Sequence, residues 1–178
     1  MLPYSIGFFA CAFSIALDIV QYAGVFGFWI DEKPYISIMA GLFELIVFAC
    51  LFFVVKRLRN TNLTVWLSFA LVTMFVVYIL NVLLMANPDS FFNGFLNKNH
   101  YILGYEAYHV MLLIFAFKVF FVERGYLRLF CGAYILFSIA IFGSLVSPAF
   151  NLVSMPFSIV SEAALLMKFR EELKKNLA

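Results

Sequence analysis

The stretch YILGYEAYHVMLLIFAFKVFFV, residues 101–122, decides how the rest of the chain is read. It is as long as the run of roughly 20 apolar residues that carries a helix across the hydrocarbon core of a bilayer. Inside it sit an acid and an imidazole, Glu106 and His109, with Tyr105 beside them and Lys118 further along. Three positions apart on a helix, Glu106 and His109 project from one face. Ionisable groups at such depth are expensive and mark a polar site inside a membrane bundle.

Outward from this segment the chain breaks into five more apolar runs, so that spans are expected over about 6–28, 35–55, 63–85, 101–122, 127–146 and 149–169. The breaks are polar or helix-ending: Asp31-Glu32-Lys33-Pro34, Lys56-Arg57-Leu58-Arg59-Asn60, Asn87-Pro88-Asp89, Glu123-Arg124-Gly125 and Ser147-Pro148. Composition agrees. Of 178 residues, 65% are hydrophobic and 12% charged, and the mean hydropathy is +1.01, against about 25% charged residues in a soluble globular domain. The expected fold is therefore all-α, a polytopic membrane protein built as a bundle of six transmembrane helices, with residues 1–178 forming a single domain. The first run does not read as a cleaved signal, because no basic residue precedes it and Asp18 interrupts its apolar part.

A net charge of +2 with the cations in short inter-helix clusters excludes a nucleic-acid surface. The expected partners are membrane lipid, a small solute or cation, and a membrane partner subunit or a second copy of the chain. Cys11, Cys50 and Cys131 stand singly in apolar surroundings and read as packing residues. Cations also give orientation, since Lys and Arg are retained on the cytoplasmic side. Lys56, Arg57, Arg59, Lys118, Arg124, Arg128, Lys168, Arg170, Lys174 and Lys175 fall on one side, and only Lys33 and Lys98 on the other. Both termini are then cytoplasmic. The long connection 86–100 lies outside, resting Phe91, Phe92 and Phe95 on the membrane surface.

Spans two, four and six each carry one glutamate, Glu44, Glu106 and Glu162, ahead of a basic cluster, and Glu44 to Lys56 is spaced like Glu106 to Lys118. The positive-inside rule alone accounts for those cations, so a repeat carries no mechanism. The polar stripes say more. Cys11, Ser14, Asp18, Gln21 and Tyr22 share a face of span one; Ser37, Gly41 and Glu44 of span two; Tyr78 and Asn81 of span three; Tyr134 and Ser138 of span five; Asn151, Ser154, Ser158, Ser161 and Glu162 of span six. Lipid cannot satisfy such stripes, so they face the bundle interior. Hydroxyls there also serve as ordinary helix glue. Carboxylates differ, because an Asp at a helix centre costs about 2.5–3.5 kcal/mol even on lenient insertion scales. Asp18, Glu44, Glu106 and Glu162 outnumber the internal cations, so either some are kept neutral or a proton, metal or cationic ligand completes the site.

The ligand-binding set expected from this reading is Asp18, Gln21, Tyr22, Glu44, Asn81, Tyr105, Glu106, His109 and Glu162. Glu106-x-x-His109 is also half of the carboxylate-bridged di-metal pattern of helical bundles, with Glu44, Glu162 and Asp18 as further donors. The full pattern has two such motifs and this chain has one, so a metal stays an alternative beside a hydrogen-bonded structural His109. No cofactor is specified. Enzyme motifs such as Gly-x-Ser-x-Gly, His-Glu-x-x-His or a phosphate loop are missing, although Glu106, His109 and Glu44 or Glu162 could supply an acid and a base.

The residues Gly104-Tyr105, His109-Val110-Met111-Leu112-Leu113, Gly125 to Gly132, Pro156, Glu162 and Lys168 resemble the closing half of an uncharacterised bacterial family of six-span membrane proteins. That family has a Pro before an Arg and a Leu-Gly after its fourth span; here the Pro is absent and Cys131-Gly132 replaces Leu-Gly. The resemblance implies a bacterial cytoplasmic membrane and no particular activity. In size and topology the chain is also similar to the small six-span substrate-binding subunits of vitamin importers, with no shared motif. Three functions are thus open: binding or transport of a proton, cation or small cationic or amphipathic solute; intramembrane enzymology on a lipid; and a structural or assembly subunit.

Overall fold

Long runs of Leu, Val, Ile and Phe, broken only at polar clusters, leave the backbone no way to satisfy its hydrogen bonds in lipid except within helices, and helices are what the chain forms. A computed structural model describes residues 1–25, 34–58, 60–86, 106–144, 147 and 149–177; for some helical residues, Asp18 and Glu106 among them, only the backbone is described. Among the described residues the helices are α1 (Leu2–Val25), α2 (Pro34–Arg57), α3 (Thr61–Ala86), α4 (Glu106–Val122), α5 (Tyr126–Ser144) and α6 (Ala149–Leu177), and there is no strand.

Counted over those residues, three helices are long and apolar enough to cross a membrane, at Thr61–Leu80, Tyr126–Gly143 and Leu152–Leu177, with shorter apolar stretches at Leu2–Leu17 and His109–Val122. The outside of the molecule is apolar too. Phe9, Phe13, Phe69, Val72 and Phe121 are all more than half exposed, a coat that water would not tolerate on this scale. The chain is a helical membrane protein.

Local chemistry sets the helix ends. Pro34 opens α2, where its missing N–H is no loss. Asn60 caps α3 by accepting the Leu63 N–H at 3.3 Å. Gly125, with φ of 68°, makes the left-handed turn between α4 and α5. The sixth helix runs past the expected 169 to Leu177 because its charges pair along one face: Lys168 with Glu171 at 3.3 Å and Glu172 at 3.0 Å, and Lys175 with Glu171 at 2.6 Å. The expected start of the fourth span, 101–105, and the connection bearing Phe91, Phe92 and Phe95 lie outside the described residues.

Each helix packs on its chain neighbours, and α6 returns to pack on α1, closing a ring. Arg57 at the end of α2 reaches Glu172 near the end of α6 at 3.0 Å, and Lys118 of α4 lies over Trp66 of α3. Gly7 of α1 sits against Phe169 of α6 and Cys50 of α2. The C-terminal ends of α2, α4 and α6 therefore share one face with the N-terminal ends of α1, α3 and α5, and that face holds the basic clusters. The ring is filled by Leu51, Leu67, Leu112, Phe115, Leu165 and Phe169. Phe48 of α2 meets Phe130 and Tyr134 of α5 at 6.1 and 6.3 Å between ring centroids, contacts that cross the interior between helices that are not ring neighbours.

Candidate functional site

Two polar seams run inside this apolar ring. The first lies between α1 and α6. Ser154, Ser158 and Ser161 of α6 are buried, as are Cys11 and Ser14 of α1, because spacings of three and four put each set on one helix face. Glu162 joins them from a half-buried position. The Ser14 hydroxyl donates to Glu162 Oε1 at 2.6 Å, and the Cys11 thiol donates to the Glu162 backbone carbonyl at 3.0 Å. Ser161 donates to the Ser158 carbonyl at 2.8 Å. Asp18, Gln21 and Tyr22 continue the α1 stripe by helical spacing; their side chains lie outside the described residues.

The second seam lies between α4 and α5. His109 is only 1% exposed, and its Nδ1 is 2.6 Å from the Tyr134 hydroxyl. Which of the two carries the shared proton depends on the imidazole tautomer. The His109 ring stacks on Tyr134 at 6.0 Å and meets Phe137 edge-on at 5.6 Å. Ser138 donates back to the Tyr134 carbonyl at 2.9 Å. The imidazole is thus held by a hydroxyl within an aromatic enclosure.

Of the other expected site residues, Glu44 is half-buried on α2, one turn beyond Gly41, whose α-carbon faces the Tyr78 ring of α3. Asn81 and Glu106 lie on helical backbone with side chains outside the described residues, and Tyr105 lies outside them altogether. The structure brings Glu162 to α1 and His109 to α5. The partners it gives them, Ser14, Cys11 and Tyr134, were legible as stripe members but not as site residues, because the stripes do not say which helices are neighbours. Among the described residues no three His, Cys, Asp or Glu side chains gather closely enough to hold a metal ion; the Glu106–His109 pair falls partly outside them.

At the basic face a third group ties helix ends together. Glu172, nearly buried, takes Arg57 at 3.0 Å, Lys168 at 3.0 Å and Lys175 at 3.5 Å. The Asn176 amide donates to the Glu172 carbonyl at 2.5 Å. Compared with known proteins, the chain matches no family model, no curated protein and no solved structure.

Proposed function

We propose that this chain is a six-span membrane bundle that binds, and passes, a proton or a small cationic or amphipathic solute at an acidic site inside the ring, with Glu162 as its central acid. The observation that carries the reading is the Glu162 carboxylate held by Ser14 at 2.6 Å along a seam of buried hydroxyls. A carboxylate that only repaired local packing would be replaced at little loss by one more Ser, whereas an acid retained at this depth calls for a proton or cation partner. Glu44 on α2, which packs on α1, is proposed as a further acid of the same site. Pro156, six residues before Glu162, lies inside α6 and removes one backbone hydrogen bond from a helix that stays continuous. The membrane assigned is the bacterial cytoplasmic one, with both termini inside, on the cation distribution and the sequence resemblance.

The enzymatic alternative has less behind it, because His109 is engaged by Tyr134 in a closed aromatic setting. The test is proton and cation flux into proteoliposomes carrying the full chain, with Glu162→Gln beside it. Uptake that is lost in the variant while melting temperature is kept supports the reading. Equal uptake in both, or in protein-free vesicles, sinks it. Mass and metal analysis of the gently purified protein identifies what occupies the site, and product formation from added lipid would shift the assignment to an enzyme.

A further inference from the structure

On the outer surface of the ring, α5 and α6 leave an open cleft of about 480 Å³ that neither polar seam uses. Leu129, Gly132 and Leu136 of α5 form one wall, Phe157 and Val160 of α6 the other, and Phe120 of α4 closes one end. Gly132 lets the Phe120 ring close in on α5: a β-carbon there would stand 3.0 Å from that ring. Arg128 stands at the end toward the basic face, its guanidinium 4.8 Å from the centroid of Phe120. Among the described residues no carboxylate pairs with it.

The cleft follows a stripe of α5 from Arg128 to Leu136, about 12 Å at 1.5 Å per residue, and continues past it to Gly125 in the preceding turn. The stripe is somewhat under half of the ~30 Å hydrocarbon thickness, so a chain lying along it reaches from headgroup level most of the way to the bilayer centre. A guanidinium fork at headgroup level matches a phosphate in shape as well as charge. The surrounding face keeps Lys56, Arg124, Arg128, Arg170 and Lys174 exposed, which favours a lipid with net negative charge over a zwitterionic one. We propose that this cleft is a binding site for one anionic phospholipid, with an acyl chain along 129–136 and the phosphate on Arg128. The proposal needs the bundle to lie in a membrane and is independent of the Glu162 site.

The experiment is native mass spectrometry of the full chain released from nanodiscs holding phosphatidylglycerol and phosphatidylcholine in equal amounts. One phosphatidylglycerol should stay on each chain. Arg128→Gln should lower its retention about tenfold, the size of one lost charge-assisted contact. Val160→Trp should do the same by filling the cleft with every charge in place, and Arg170→Gln, on the same face but off the cleft, should change nothing. Arg128, Val160 and Arg170 are exposed, so these variants keep the fold, which their helical signal verifies. Equal retention of phosphatidylcholine, an Arg170→Gln effect as large as that of Arg128→Gln, retention that survives Val160→Trp, or a second chain in place of the lipid would each overturn the proposal. Failure of the chain to enter nanodiscs would instead strike at the membrane reading.

Discussion

Single atoms decide most at His109. Its bond to Tyr134 is short, and both groups are buried, so removing the hydroxyl leaves an imidazole nitrogen without that partner where water does not reach. Tyr134→Phe should therefore lower stability by about 1–3 kcal/mol, read as a melting-temperature drop in detergent, while the conservative aromatic ring keeps the contacts with Phe48 and Phe130. A change near zero would mean that the pair contributes nothing net. Gly7 gives a packing counterpart. A β-carbon there would fall 2.8 Å from the Phe169 ring and 2.9 Å from Cys50 Cβ, so Gly7→Ala should cost about 1–3 kcal/mol by overpacking, and unchanged melting would show that α1 stands further off than described. His109 and Glu162 were legible in the sequence, since an ionisable group in an apolar run stands out by type alone. Ser14 was legible only as one hydroxyl among many. Thr64, Ser68 and Thr73 bond to the carbonyl four residues back on their own helices, a resting arrangement open to any helical hydroxyl, and nothing in the sequence distinguishes Ser14 from them until α6 is known to be its neighbour.

At the scale of the element, apolar length and polar breaks anticipated the six helices of the described residues, three of them long and apolar enough to cross a membrane, and the bounds moved where local interactions outran hydropathy. The apolar stretch of α6 ends at Phe169, but Arg170, Glu171, Glu172, Lys174 and Lys175 carry the helix on to Leu177, and there Glu172 binds α2 through Arg57. Burial acts to raise the Glu172 carboxyl, but Lys168, Lys175 and Arg57 outweigh it and hold the group below its ordinary value of 4.5. The folded state thus binds its proton less readily than the unfolded chain, so the stabilisation is full above that ordinary value and is lost as pH falls through the lower, folded one. Glu171 is lowered in the same direction, chiefly by its hydrogen bond with Lys175, and should contribute less because it is more exposed. Acidifying from neutral pH to below 4.5 should loosen the α2–α6 contact, seen as faster amide exchange in the last turns of α6. Glu172→Gln should cost about 1–2 kcal/mol at neutral pH, less than a fully buried pair because Arg57 is half exposed, and should flatten the acid dependence. An acid profile that is the same in the variant would assign the loosening to other groups.

For the whole molecule, the ring makes sidedness a matter of one assignment. With α1 packed on α6 and neighbours antiparallel, every end that carries a basic cluster falls on one face. The sequence could count the cations but not close the ring, because closure depends on the Gly7, Cys50 and Phe169 contact between the first, second and sixth helices, and no local pattern records that. Under the proposed orientation, the positive-inside rule puts this basic face in the cytoplasm and turns the described helices with it as one unit. Cys11, Cys50 and Cys131 are all buried, so thiol labelling needs no cysteine-free background. A cysteine at exposed Asn62, in the first turn of α3 on the basic face, should resist an impermeant maleimide added to intact cells and react once the membrane is opened. One at Lys98, in the connection on the opposite side of the sequence reading, should react from outside at once. Labelling of Asn62→Cys in intact cells with protection of Lys98→Cys would invert the bundle, and would place the phospholipid cleft at Arg128 in the outer leaflet, because Arg128 begins α5 on the same face on which Asn62 begins α3.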